Sequence, residues 1–130
     1  MNLLNLSWGK KMLSDRVVVI TGGAGLIGKE LVKAVVKNNG TAIIADINEK
    51  VGIKVKDDLS KQLGSSRIDF VHLDITCKSS LQKCIKHLDD TYGKIDALVN
   101  NAYPSNKNYG RHFFDVEYDD FVENTGLNLG

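Results

Sequence analysis

Apolar residues recur along this chain in two alternating rhythms. Val17, Val18, Val19 and Ile20 form an unbroken run, as in a strand covered on both faces, so Arg16–Ile20 is expected to be a strand. Thr21-Gly22-Gly23-Ala24-Gly25 interrupts it, and a helical spacing follows through Ile27, Leu31, Ala34 and Val35. Asn38-Asn39-Gly40 stops that helix with residues that tolerate the left-handed conformation. A second strand, Thr41–Ala45, runs to Asp46. Val51, Val55, Leu59 and Leu63 then recur every four residues, with Lys50, Lys54, Asp57, Asp58 and Lys61 turned to water. A third strand, Ile68–Leu73, ends at Asp74, and Ser79 or Ser80 is placed to cap a helix whose stripe is Leu81, Cys84, Ile85 and Leu88. Tyr92-Gly93-Lys94 closes that helix, and Ile95–Val99 leads into Asn100-Asn101. Beyond it, Tyr103–Arg111 is polar, holds the single proline Pro104 and reads as a loop. Phe113–Leu129 reads as a short helical start followed by the beginning of a longer helix.

Strand and helix alternating at this spacing form βαβ units, whose right-handed crossovers build a parallel sheet. The fold class expected is α/β, a doubly wound Rossmann sheet in the order 3-2-1-4 that stops before a fifth strand. Its domain is expected over residues 12–130, since Met12-Leu13-Ser14-Asp15 abuts the first strand as a natural beginning would. Residues 1–11, with Trp8, read as an extension outside the sheet.

Composition narrows the functional classes. Seventeen basic and sixteen acidic side chains in 130 residues give a net charge of +1, which argues against nucleic acid or a membrane surface as a partner. The longest aliphatic run, Val17–Ile20, is far short of the ~20 residues that span a bilayer. Met1–Gly9 has no basic start, and Asn5 and Ser7 interrupt its apolar residues, so no signal peptide is read there. Cys77 and Cys84, read as sharing one helix, would lie about 10 Å apart, beyond the ~7 Å reach of a disulfide. Two cysteines at this spacing make no metal pattern either. Both are expected to be reduced thiols of a cytoplasmic protein.

Candidate chemistry gathers at the strand ends. Thr21-Gly22-Gly23-Ala24-Gly25-Leu26-Ile27-Gly28 joins the first strand to the first helix, where a glycine turn lets backbone N–H groups approach a pyrophosphate. Asp46 stands eighteen residues past Gly28, at the tip of the next strand, where a carboxylate can bind both ribose hydroxyls of an adenosine. The same charge repels a 2′-phosphate, and Ile47 beside it is no arginine, so the cofactor expected is NAD rather than NADP. A helix cap is the alternative role for Asp46, and the two are compatible. Asp74 and Asn100-Asn101-Ala102 end the third and fourth strands, so all four tips face one crevice. Singly, each would pass for a turn former.

Together, Thr-Gly-x-x-Gly-x-x-Gly, Asp46, Asp74-Ile75 and Asn100-Asn101-Ala102 resemble the short-chain dehydrogenase/reductase family, over Asp15 to Gly130. The resemblance implies that Gly22, Gly25, Leu26, Ile27 and Gly28 meet the cofactor with Asp46 and Ile47. It implies that Asp74 and Ile75 hold the adenine, that Asn101 and Ala102 line the cofactor, and that Asn100 ties central strands together. Asn128 matches the family's helix asparagine, which holds a water in the proton relay, and Asn124 competes for that role. Gly25 and Leu26 resemble the family's extended branch, whereas Asn-Asn-Ala resembles the standard one. Tyr103 replaces the glycine usual after that run. The family's catalysis needs a serine and a Tyr-x-x-x-Lys a few tens of positions after the helix asparagine. The chain stops at Gly130, and Tyr92, Tyr103, Tyr109 and Tyr118 are read as having no lysine four residues on, so none is expected to complete that motif.

The chain is thus expected to be the cofactor half of an oxidoreductase interconverting a hydroxyl and a carbonyl on a small-molecule substrate, inactive by itself and a homo-oligomer when full length. Asn101–Pro104 through Arg111–Phe114 resembles oxidoreductases of bacterial flagellin-modification and surface-glycan gene clusters, which implies a sugar-derived substrate. Lys107, Arg111 and His112 would there meet a carboxylate or phosphate, or else simply solvate a loop. Two other classes stay open: a nucleotide sensor that does no redox chemistry, and a methyltransferase, against which the Thr-Gly opening and Asn-Asn-Ala speak.

Overall fold

The computed structural model describes residues 12–129. Residues 1–11, and with them the expected extension and Trp8, lie outside the described residues. The chain runs β1 (Val17–Thr21), α1 (Leu26–Lys37), β2 (Thr41–Asp46), α2 (Glu49–Leu63), β3 (Ile68–His72), α3 (Lys78–Tyr92) and β4 (Ala97–Val99), then a short 3-10 turn (Phe113–Asp115) and α4 (Tyr118–Leu129). The strands form one parallel sheet in the order β3-β2-β1-β4, the order expected of a doubly wound dinucleotide-binding half. Register sets Val18 beside Ala42 and Ala97, and Ala42 beside Ile68, so the strand ends stop level with one another.

Because successive residues of a strand point to opposite faces, β1 feeds two cores. Val18 and Ile20 pack with Val32, Val35, Val36, Val55 and Leu59 under α1 and α2. Val17 and Val19 pack with Ile43, Ala45, Val71, Cys84 and Leu88 under α3. The continuous apolar run of β1 is the sequence signature of this two-sided burial.

Several expectations shift in detail. In α1, Val32 and Val36 are buried while Ile27 and Ala34 face solvent, because the helix starts at Leu26 and the glycine turn sets its phase. Gly52 takes the buried place in α2 that Val51 was expected to fill, since the Phe70 ring lies where a side chain would sit. In α3 only Cys84 and Leu88 are buried; Leu81 and Ile85 are exposed, as is Leu98 of β4, because α3 covers the β3 side of the sheet. Cys77 is the N-cap of α3 rather than a helical residue, and neither Ser79 nor Ser80 caps that helix, for the Ser80 hydroxyl accepts instead from Asp74 N–H at 3.0 Å. Both thiols are free.

β4 begins at Ala97, two residues later than expected. Asp96, just before it, clamps β1: its carboxylate accepts from Val17 N–H at 2.8 Å and from the Arg16 guanidinium at 2.9 Å, with Lys94 at 3.2 Å. The Val17 amide and these cations hold its carboxyl down at about 2. At the α3 end, the Tyr92 hydroxyl donates to Asp69, and burial and that carboxylate push it up to about 12. No helix among the described residues is long and apolar enough to cross a membrane.

Candidate functional site: a cleft at the strand ends

The first wall of the site is the turn between β1 and α1. Gly22 sits at φ +63, and a Cβ there would stand 3.1 Å from Ala102 Cα. Only glycine takes that conformation readily while the β4 end closes in. Gly28 is needed for contact instead, since its Cβ would lie 2.3 Å from Gly22 O, forcing α1 off the turn. Gly25, the N-cap of α1, offers no side-chain cap, and the first turn carries no acidic residue. α2, by contrast, has both: Asn48 accepts from Val51 N–H at 3.1 Å and Glu49 follows. The first amides of α1 are therefore left for an anion, with the helix dipole favouring negative charge.

Asp46 ends β2 and turns its carboxylate back towards this turn. One oxygen accepts from Ala24 N–H at 3.2 Å and the other from Asn48 N–H at 3.0 Å. It is thus not the cap of α2, which is Asn48, and its carboxylate is fixed in orientation with lone pairs to spare. Asp74 follows β3, and Thr76, donating from both its hydroxyl (2.6 Å) and its N–H (2.9 Å), lowers its carboxyl below the usual range.

Thr21 carries a role the sequence pattern did not reveal. Its buried hydroxyl accepts from Asn101 N–H and Ala102 N–H, both at 3.0 Å, and donates to Val99 O at 3.3 Å. Asn101 answers by donating its side-chain amide to Thr21 O at 3.0 Å and Gly22 O at 3.2 Å. The tie between central strands expected of Asn100 is made by Asn101. The Thr-Gly at the turn was the visible signal for Thr21; its bonding to β4 follows only from strand order.

Gly22, Asp46, Ile47, Asp74, Ile75 and Ala102 line one cleft of about 490 Å³. Gly25, Leu26, Ile27 and Gly28 lie outside that lining, on the turn and first coil of α1, and Asn101 stands behind the wall it fastens. Asn128 lines a second cavity of about 430 Å³, while its neighbour Leu127 reaches the first; Tyr103 borders both. The Asn128 amide donates to Pro104 O at 2.9 Å and Asn124 O at 2.8 Å. Asn124 is engaged differently, accepting from Asn106 N–H at 2.9 Å.

Tyr103 and Lys107 do stand at the Tyr-x-x-x-Lys spacing, an exception among the four tyrosines. They do not share a helical face, for residues 101–106 are irregular and a turn spans 107–110. Partial desolvation and Tyr109, whose ring meets it edge-on at 5.5 Å, raise the Tyr103 phenol, opposite to what a proton-relay tyrosine requires. Of the loop cations, Arg111 approaches Asp120 at 3.8 Å, and His112 lies against Phe114.

The sequence model of the short chain dehydrogenase family matches residues 16–124. The chain belongs to that family. It is 36% identical over 120 residues to the post-translational flagellin modification protein A of Campylobacter coli, covering 92% of this chain and 46% of that one. The fold is shared with a short chain dehydrogenase from Mycobacterium smegmatis (TM-score 0.76, 24% identity, 92% of this chain and 48% of that one). It is shared too with a 3-ketoacyl-(acyl-carrier-protein) reductase from Brucella melitensis complexed with NADH (TM-score 0.72, 23% identity, 89% and 45%). The chain spans under half the length of these relatives.

Family members use nicotinamide cofactors. The residues here fit one: uncapped amides for the pyrophosphate, oriented carboxylates for a ribose and a base, and a cleft within the ~300–1,000 Å³ common for small-molecule sites.

Proposed function

We propose that this chain is the nucleotide-binding part of an NAD-dependent oxidoreductase that interconverts a hydroxyl and a carbonyl. The observation that carries the reading is the Asp46 carboxylate, oriented by Ala24 N–H and Asn48 N–H at the edge of the cleft and beside the uncapped turn. A carboxylate so placed accepts from both hydroxyls of a ribose and opposes a 2′-phosphate, and Ile47 supplies no compensating cation. NAD would contribute the hydride chemistry; the residues of this chain bind and orient it. Gly22, Gly25, Leu26, Ile27 and Gly28 present the pyrophosphate site, Asp74 and Ile75 the adenine site, and Asn101 and Ala102 the wall between. Asn128 serves the proton relay by holding a water. The likeness to a post-translational flagellin modification protein supports a substrate that serves flagellin modification, and in this reading that substrate is sugar-derived. The whole protein is a cytoplasmic homo-oligomer in this reading.

Fluorescence titration with NADH and NADPH tests it. The chain should bind NADH more tightly than NADPH. Asp46→Ala should weaken NADH by about 10- to 100-fold, the worth of ~1.5–3 kcal/mol in charge-assisted bonds, and Ile47→Arg added to it should turn the preference to NADPH. NADPH binding as tightly as NADH, with Asp46→Ala without effect, would contradict the reading.

A further inference from the structure

The segment from Tyr103 to Arg111 has no regular structure, yet it is bonded side chain by side chain to one face of α4. Asp120 is at the centre. It is 8% exposed, and its Oδ1 accepts from the Asn108 amide at 2.6 Å and the Asn106 amide at 3.0 Å. Its Oδ2 receives Glu117 N–H at 3.4 Å, with Arg111 at 3.8 Å. Glu123 takes a second bond from the Asn106 amide at 2.9 Å, and Asn124 takes Asn106 N–H. A helix cap alone would account for the long bond to Glu117. The two shorter ones reach the loop instead, where a charged acceptor binds amide donors more strongly than a neutral one would.

This seating has a consequence for the cleft. Tyr103, Pro104 and Ser105 run directly from Ala102 and line the nucleotide cleft together with Asp46 and Asp74. They are fixed at one end by the Thr21 hydroxyl on Ala102 N–H and at the other by Asn106 on Asp120. We infer that Asp120 is a positioning residue: by seating Asn106 and Asn108 on α4 it holds Tyr103–Ser105 as the second wall of the cleft, and sets nucleotide affinity without touching the nucleotide. The inference rests on the nucleotide reading of the cleft.

Thermodynamic linkage makes the coupling measurable from both sides. In the full chain, amide hydrogen exchange at Asn106 and Asn108 reads the clamp, and NADH titration reads the cleft. Asp120→Ala should speed exchange at both amides without nucleotide and weaken NADH by roughly 5- to 100-fold, the usual range for coupled sites. Asp120→Asn, which keeps the shape and one acceptor but loses the charge, should fall between and guards against a variant that fails to fold. NADH should slow exchange at these two amides in the wild type and not in Asp120→Ala. Leu88→Val, a core change under α3, should lower the thermal midpoint and leave NADH affinity unchanged, which separates positioning from general stability. NADH affinity within about twofold of wild type in both Asp120 variants, or unchanged exchange at Asn106 and Asn108, would overturn the inference while leaving the nucleotide reading intact. A wild-type chain that does not bind NADH would instead remove the nucleotide reading, and the inference with it.

Discussion

The two walls of the cleft are built by different physics. The wall at Gly22, Asp46 and Asp74 is an outcome of sheet register: parallel strands end level, and their terminal residues must face the same crevice. The wall at Tyr103–Ser105 has no regular structure of its own and is held on α4 by the Asn106 and Asn108 side-chain amides on Asp120, by Asn106 N–H on Asn124 and by the Asn128 amide on Pro104 O. The first is specified by backbone hydrogen bonds and glycine sterics, which tolerate few substitutions. The second depends on a handful of polar side chains, the kind of contact that can change while the sheet stays as it is.

Breaking the first wall should cost most. In Gly28→Ala the new methyl meets Gly22 O and Gly23 Cα, backbone atoms with little room to give. The expected loss is about 3 kcal/mol, the upper end of ordinary overpacking, seen in urea unfolding together with loss of NADH binding. Thr21→Val keeps the shape but removes the acceptor shared by Asn101 and Ala102, stranding two N–H groups at the join between the walls. About 2 kcal/mol is expected, from the ~1–3 kcal/mol cost of an unsatisfied buried group, and NADH should weaken because Ala102 lines the cleft.

Asp96→Asn should be the mildest, and it sharpens the contrast because Asp96 lies at the opposite end of the sheet from both walls. NADH affinity should not change. Stability should fall at neutral pH, since the Asp96 carboxyl is depressed to about 2 by Val17 N–H and Arg16. A depressed carboxyl contributes its stability above its unfolded value near 4 and loses it as pH falls from there through about 2. The gap between wild type and variant, followed by urea unfolding against pH, should therefore close across that window.

The contrast between the walls also explains what could be read from sequence. Val17–Ile20, the glycine turn, Asp46 and Asp74 are local signals, each within a few residues of the strand end it marks; the parallel sheet follows from the βαβ rhythm, and the order 3-2-1-4 from reading that turn as a dinucleotide-binding one. Helix phase was harder. Ile27 and Ala34 lie on a helical stripe, but the turn at Gly22–Gly25 rotates α1 so that Val32 and Val36 go inside. Leu81 and Ile85 suit a buried face, yet burial requires a partner layer, and α3 packs chiefly on the β3 side. The Asp120 clamp joins residues 12 to 18 positions apart through side chains whose composition matches any polar loop, so no periodicity announces it. Tyr103-x-x-x-Lys107 was passed over in the sequence although its spacing matches, and the backbone that carries it is not helical.

The central claim is that one cleft, between these two walls, takes NAD. Titrating the chain with NADH while following backbone amide shifts by NMR tests it most directly. The account predicts shifts concentrated at Gly22–Gly28, Asp46–Ile47, Asp74–Ile75 and Ala102, with a weaker response at Asn106 and Asn108. Shifts confined to the cavity of Tyr109, Phe121 and Thr125 behind Tyr103, or no saturable shifts at all, would contradict it.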